Sequence, residues 1–201
     1  NNMNGSSTGS IPLIIVDSIS APADYIQDLA FDGEYLWACG AYWDTIYKIS
    51  MGTGAVIGSI PTTVYYAAGL TFDGVDIWVT DKTNNQIHKL DKNTGNILQS
   101  FPTPSTSGST YATGLAWNGN LWHNDPNSVG SANVNAQTFC LSSVSLATLQ
   151  SNYNPGWPTG LAWDGQYLWC SHSAGIGIIQ KYDISTFTAV DSIITPWIYP
   201  N

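Results

Sequence analysis

Three observations predict an all-β chain built from four successive four-stranded antiparallel sheets. A glycine recurs at Gly33, Gly74, Gly119 and Gly165, at spacings of 41, 45 and 46 residues. An aromatic residue and an acid or amide precede each one: Phe31-Asp32, Phe72-Asp73, Trp117-Asn118 and Trp163-Asp164. An aliphatic residue and a tryptophan follow: Leu36-Trp37, Ile77-Trp78, Leu121-Trp122 and Leu168-Trp169. A sheet of this size cannot cover both its faces alone, whereas sheets stacked around an axis cover one another, and a 41–46-residue period holding four strands is the signature of that arrangement. The expected fold class is therefore all-β, a β-propeller of four four-stranded antiparallel blades with an additional N-terminal strand.

Taken in order, residues 1–10 (NNMNGSSTGS) are polar and rich in Gly and Ser, and read as a flexible lead. They lack the basic and apolar regions of a signal peptide. Residues 11–21 (IPLIIVDSISA) read as a strand of the fourth type, because Val16-Asp17-Ser18-Ile19 repeats Val190-Asp191-Ser192-Ile193 residue for residue. Each of the four repeats carries its own fourth strand, so 11–21 is surplus. The propeller occupies 22–201, divided at about 22–63, 64–104, 105–155 and 156–201.

The second repeat is the clearest. Its first strand, Gly69–Asp73, ends in Asp73-Gly74, a pair that tolerates the positive φ of a tight hairpin turn. Asp76–Asp81 is rich in β-branched and aromatic residues, as strands are. Lys82–Asn85 has turn chemistry. Gln86–Asp91 is the third strand, with imperfect alternation, and Lys92–Gly95 is a second tight turn. Asn96–Phe101 is the fourth strand and stops at Pro102, which has no N–H to donate. The third strand recurs as Ile46–Ser50, Thr138–Ser142 and Ile179–Asp183. Repeat three diverges, with a first hairpin one residue shorter and a polar insertion over Asp125–Asn135. The tryptophan of each second strand is expected to fill the space between blades.

The pattern G-L-x-[FW]-D-G-x-x-L-W-x-x-D, followed by I-x-K-[LY]-D-x-x-T-G, resembles the repeat of secreted bacterial propellers of the YncE, NHL and glutamine-cyclotransferase-like kind, over Ile26 to Pro196. The resemblance implies the fold and a secreted setting. Activity does not follow from it, because these propellers host binding proteins, enzymes and scaffolds.

Charged residues are only 9% of the chain, against ~25% in typical domains. Solubility then rests on Ser, Thr, Asn and Gly, and with nine Trp and eleven Tyr this composition suits an extracellular or cell-surface protein. A net charge of −9 argues against nucleic acid and anionic membrane as partners. The lack of an apolar run of about 18 residues argues against a membrane-spanning helix.

Candidate chemistry is sparse. His88, His123 and His172 stand at three different registers, so no metal site is expected, and no cofactor motif is present. Asp32, Asp73 and Asp164 are expected to cap their own hairpins. Cys39 and Cys170 would be neighbours in a closed ring, but their registers point the side chains apart. Trp43, Trp157 and Trp197, with Tyr65, Tyr66 and Tyr111, lie in loops among amides, and the three tryptophans are the candidate glycan-stacking residues. Asn4 heads a glycosylation sequon.

The surplus strand carries the functional expectation. Ile11, Leu13, Ile14, Ile15, Val16 and Ile19 make it apolar, and an apolar strand on a flexible tether can add to an exposed sheet edge of another subunit. The expected protein is a non-catalytic, self-assembling structural subunit, a homo-oligomer through strand addition and a candidate fibre. The alternative is a glycan- or ligand-binding propeller. The third is an enzyme of the lyase or cyclotransferase type, which needs acid-base groups converging at the axial mouth.

Overall fold

The computed structural model describes residues 17–42, 44–104, 113–126, 136–153, 157–172 and 177–195. These form four antiparallel sheets, each taking its strands in chain order. Blade one is β1 (Ile26–Phe31), β2 (Tyr35–Gly40), β3 (Thr45–Ser50) and β4 (Val56–Pro61). Blade two is β5 (Ala67–Phe72), β6 (Ile77–Asp81), β7 (Gln86–Leu90) and β8 (Ile97–Pro102). Blade three is β9 (Leu115–Trp117), β10 (Leu121–Asp125), β11 (Gln137–Leu141) and β12 (Thr148–Tyr153). Blade four is β13 (Pro158–Trp163), β14 (Leu168–His172), β15 (Ile178–Asp183) and β16 (Thr188–Ile194). The predicted four-bladed, all-β propeller is the fold observed. Among the described residues no helix is long and apolar enough to cross a membrane.

One side-chain device builds each first hairpin. Gly74 takes φ +97°, which a residue with a Cβ adopts only under strain. Asp73 Oδ1 accepts from the N–H groups of Val75 and Asp76 (2.9 and 2.8 Å), and Oδ2 accepts from Trp78 Nε1 at 2.8 Å. Asp32 and Asp164 repeat both halves with Trp37 and Trp169. The recurring Asp, Gly and Trp are therefore one structural unit, and the aspartates cap their own turns. The lysine of the third strand completes it. Lys89 Nζ pairs with Asp73 (2.9 Å) and Asp76 (3.3 Å), while Lys48 and Lys181 lie over Tyr35 and Tyr167 at 3.8 and 4.0 Å. Blade three, with Asn118 for Asp and Cys140 for Lys, keeps the turn, where Asn118 Oδ1 accepts from Asn120 N at 3.2 Å, but among the described residues the buried Trp122 Nε1 has no hydrogen-bond partner.

The fourth strands share one irregularity, an extra residue at Ile57, Leu98, Leu149 and Val190. In every blade a register shift interrupts the pairing of strands three and four, at Lys48/Ile49, Lys89/Leu90, Cys140/Leu141 and Lys181/Tyr182. Such a bulge increases local twist and turns the outer strand away from its neighbours.

The core lies between blades. Trp37 packs with Leu70, Ile77 and Phe72 of blade two, Trp78 with Leu115, Leu121 and Trp117 of blade three, and Trp122 with Leu161, Leu168 and Trp163 of blade four. All three tryptophans are buried, as expected of interface fillers. Trp169 is the exception and is only half-buried. The reason is the seam between blades four and one. β1 and β2 pack on β5, β5 and β6 on β9, and β9 and β10 on β13, but among the described residues no comparable packing joins blade four to blade one. Leu29 is accordingly 49% exposed, whereas its counterparts Leu70, Leu115 and Leu161 are 1%, 1% and 6% exposed.

Two sequence expectations meet this architecture differently. Of the surplus strand, 11–16 lies outside the described residues and Asp17–Ala21 carries no ladder. Cys39 and Cys170 belong to different interfaces, both are buried, and they form no disulfide with one another.

Candidate functional site at the axial mouth

The first strands of the four blades run along the axis and meet at a repeated position. Gly69 and Gly114 stand there in blades two and three, and a Cβ on either would collide with the carbonyl oxygen of Thr113 or Thr159 in the following blade. Gly114 N–H also donates to Thr159 O at 2.6 Å. Glycine is needed because the backbones touch. Blade one breaks the rule with Asp28. Its carboxylate accepts from Leu70 N at 2.8 Å and from Leu29 N at 2.9 Å, and also meets the Leu115 N–H. One side chain thus ties the axial strands of three blades together. Desolvation pushes its pKa up to about 7, against the opposing pull of those three N–H groups.

Asp28 opens onto a cavity of about 550 Å³ at the end of the axis where the first strands begin. Lys82, Thr113, Trp157, Thr159 and Ser171 are among its lining residues. The hydroxyls are oriented by the fold: Thr159 Oγ1 and Ser171 Oγ share a hydrogen bond of 2.9 Å, and Ser171 Oγ accepts from Gly160 N at 2.8 Å. Trp157 is 40% exposed at the rim, and its backbone is left-handed at φ +58°.

Lys82 links the cavity to an aromatic cluster. Its Nζ lies 4.8 Å from the centre of the Tyr66 ring, and burial lowers its pKa. Tyr66 meets Tyr42 edge-on at 5.4 Å, and Tyr42 meets Tyr25 and Tyr65 at 6.0 and 5.9 Å. Tyr25, Tyr42 and Tyr65 are exposed. Tyr25 and Tyr42 share the left-handed backbone of Trp157, at φ +57° and +67°. Bulky residues seldom adopt that conformation, which costs of order 1–3 kcal/mol and concentrates at functional sites. Leu146 and Phe187 take the same conformation in the turns before their fourth strands, and what sets Tyr25, Tyr42 and Trp157 apart is that all three are exposed on this side of the molecule.

Of the candidate stacking residues, Trp157 lies at the mouth, while Trp43 and Trp197 fall outside the described residues, as do Asn4, Ile11, Leu13, Ile14, Ile15 and Val16. Ile19 is exposed and rests against Gly54 of blade one. Sequence reasoning missed Asp28, Lys82, Tyr25 and Tyr42. Two of these had a visible signal: Asp28 replaces the glycine of the repeat, and Tyr25, Tyr66, Tyr111 and Trp157 all align at one position of the repeat. The three histidines are buried in separate places, and among the described residues no three His, Cys or carboxylate groups gather to hold a metal.

No family model and no curated protein matches the chain. Solved structures match its fold. The glutaminyl cyclase of Myxococcus xanthus is 15% identical with a TM-score of 0.68, over 85% of this chain and 70% of that one. The hydrazine synthase of Kuenenia stuttgartiensis is 10% identical (TM-score 0.60, 91% and 53%), and the Pan2 WD40 domain of Neurospora crassa is 12% identical (TM-score 0.58, 84% and 52%). The chain spans about half the length of these last two. At such identities the likeness is one of fold, and the chain is a four-bladed β-propeller related at low identity to cyclase-like and other propellers.

Proposed function

We infer that the chain is a binding propeller whose axial mouth takes a polyhydroxylated ligand, a glycan segment. One observation carries the reading: exposed aromatic side chains held on left-handed backbone stand beside a cavity lined by hydroxyls, a carboxyl and an ammonium group. Aromatic faces stack on the C–H faces of a sugar, and oriented hydroxyls and charges pair with its hydroxyls. The setting is extracellular or at the cell surface, as for the secreted propellers whose repeat this chain resembles, and the low charge content supports it. A glycan array followed by calorimetry on the best ligand tests the reading. Trp157→Ala is expected to weaken binding at least about tenfold, the loss of ~1.4 kcal/mol or more. Unchanged affinity in that variant, or no bound glycan at all, overturns it.

A second reading rests on the Asp28 carboxyl, raised to about 7 beside a cavity, where a group can move protons near neutral pH. One neighbour in fold is a glutaminyl cyclase. Cyclisation of peptides with N-terminal glutamine, with a rate inflection near pH 7 that Asp28→Asn abolishes, would favour this reading. The absence of turnover excludes it.

A further inference from the structure

The outer edges of the four sheets are β4, β8, β12 and β16, each bonded to one neighbouring strand. Soluble proteins blunt such edges with charge, proline or brevity. β16 offers the longest of these edges and has no proline, although it alone of the four carries a charge. It is the longest strand at seven residues, six of its side chains are exposed, and its only charge is Asp191. Val190, the extra residue of the bulge, and Ile194 are 52% and 60% exposed.

The other end of the molecule carries the complement. In blade two, the turn glycine Gly95 is covered by Ile60 and the Pro61 carbonyl, the end of the preceding blade's outer strand. In blade one, the equivalent Gly54 is covered by Ile19, whose Cγ2 lies 2.6 Å from where a Cβ would sit. Ile19 aligns with Ile60 in the repeat. The end of the N-terminal segment thus stands to blade one as the end of β4 stands to blade two. It holds the place of the outer strand of a preceding blade. The nearest atoms over that turn are those of Ile19, and among the described residues no packing comparable to the other seams joins blade four to blade one.

All four third strands within the chain are bonded on both sides, so an added strand finds its free backbone groups on an outer edge. The six residues of 11–16 span about 20 Å when extended, nearly the length of β16. Pro12 falls at the end of the segment, where a missing N–H is tolerated.

We propose that residues 11–16 of one copy add as a strand to the outer edge of β16 in a second copy, joining copies head to tail. The donor end and the acceptor end are different surfaces, so the contact is heterologous. It grows an open chain unless the rotation closes it into a ring.

Light scattering on the full chain from micromolar to millimolar concentration tests this, beside two variants: a chain lacking residues 1–16, and Val190→Lys with Ile194→Lys. Both lysines replace exposed side chains, and circular dichroism checks that the fold survives. The full chain is expected to gain mass with concentration while both variants stay monomeric. A peptide of residues 11–21 is expected to bind the truncated chain one to one, and to lose at least tenfold in affinity when the two lysines are added. A monomeric full chain overturns the proposal, and so does a truncated chain that still associates. Association that survives the lysines places the acceptor elsewhere and also overturns it. Peptide binding to the truncated chain beside a monomeric full chain means that the segment closes its own molecule, which overturns joining between copies.

Discussion

Asp73 shows how much one residue of the repeat carries. Burial pushes its carboxyl up, but the Asp76 N–H, the Lys89 ammonium, the Trp78 indole and the Val75 N–H together hold it below the ordinary value. Asp73→Ala removes the turn cap and leaves the Trp78 N–H buried without an acceptor. An orphaned buried donor costs about 1–3 kcal/mol, so chemical denaturation is expected to find the variant less stable by that amount, with an unchanged m-value. In blade three the Trp122 N–H already lacks a partner, so Asn118→Ala is expected to cost less. The Asp and the Trp were both legible in the repeat. Their bond was not, because the five-residue offset alone does not say that the indole folds back over its own turn.

At the scale of the strand, the axial glycines separate local from tertiary causes. Nothing in strand periodicity demands Gly69, since its neighbours Ala68 and Leu70 are ordinary strand residues. It is required because Thr113 of the next blade lies against it. Gly69→Ala is expected to destabilise by roughly 1–3 kcal/mol, the usual cost of overpacking. Gly160 holds the same position in blade four, but among the described residues no following blade reaches it, and the nearest atom to an added Cβ is the Ser171 hydroxyl at 3.0 Å. Gly160→Ala is therefore expected to cost less, and thermal melts of the two variants measure the difference. Equal losses would mean that blade four meets a neighbour in solution. The bulges between third and fourth strands belong to this scale too. They lie in the fourth strands and were not visible in the sequence, because a one-residue register shift leaves no compositional mark.

Across the whole molecule, Asp28 ties three blades together and sets a pH dependence opposite to that of the hairpin acids. Its folded pKa of about 7 lies above the ordinary 3.8, so between those values the folded protein keeps a proton that the unfolded chain has released. Its contribution is complete below about pH 4 and is lost as the pH rises to 7. Asp28→Asn removes that term. The melting temperature of wild type minus that of the variant is expected to fall from pH 4 to pH 7 and to level off above; a flat difference would mean that the carboxyl is solvated. Asp32, Asp73, Asp91, Asp164 and Asp183, held below 3.8, contribute above that value and lose their contribution as the pH falls through their folded pKa values.

Blade number, strand order and turn chemistry were open to reading from the residues alone, because each is a local property: a glycine that accepts positive φ, an aspartate that caps the turn beside it, a proline that ends a ladder. The candidate surplus strand emerged from the same ruler, once Val16–Ile19 was matched to Val190–Ile193. The mouth and the seam were not open in that way. Asp28 looks like one strand residue among many until the fold brings Leu70 and Leu115, 42 and 87 positions away, to its carboxyl. Leu29 and Leu70 are the same residue at the same point of the repeat, and one is exposed while the other is buried. A residue's environment between blades depends on the neighbour that packs against it. Nothing in its own repeat records whether that neighbour is there.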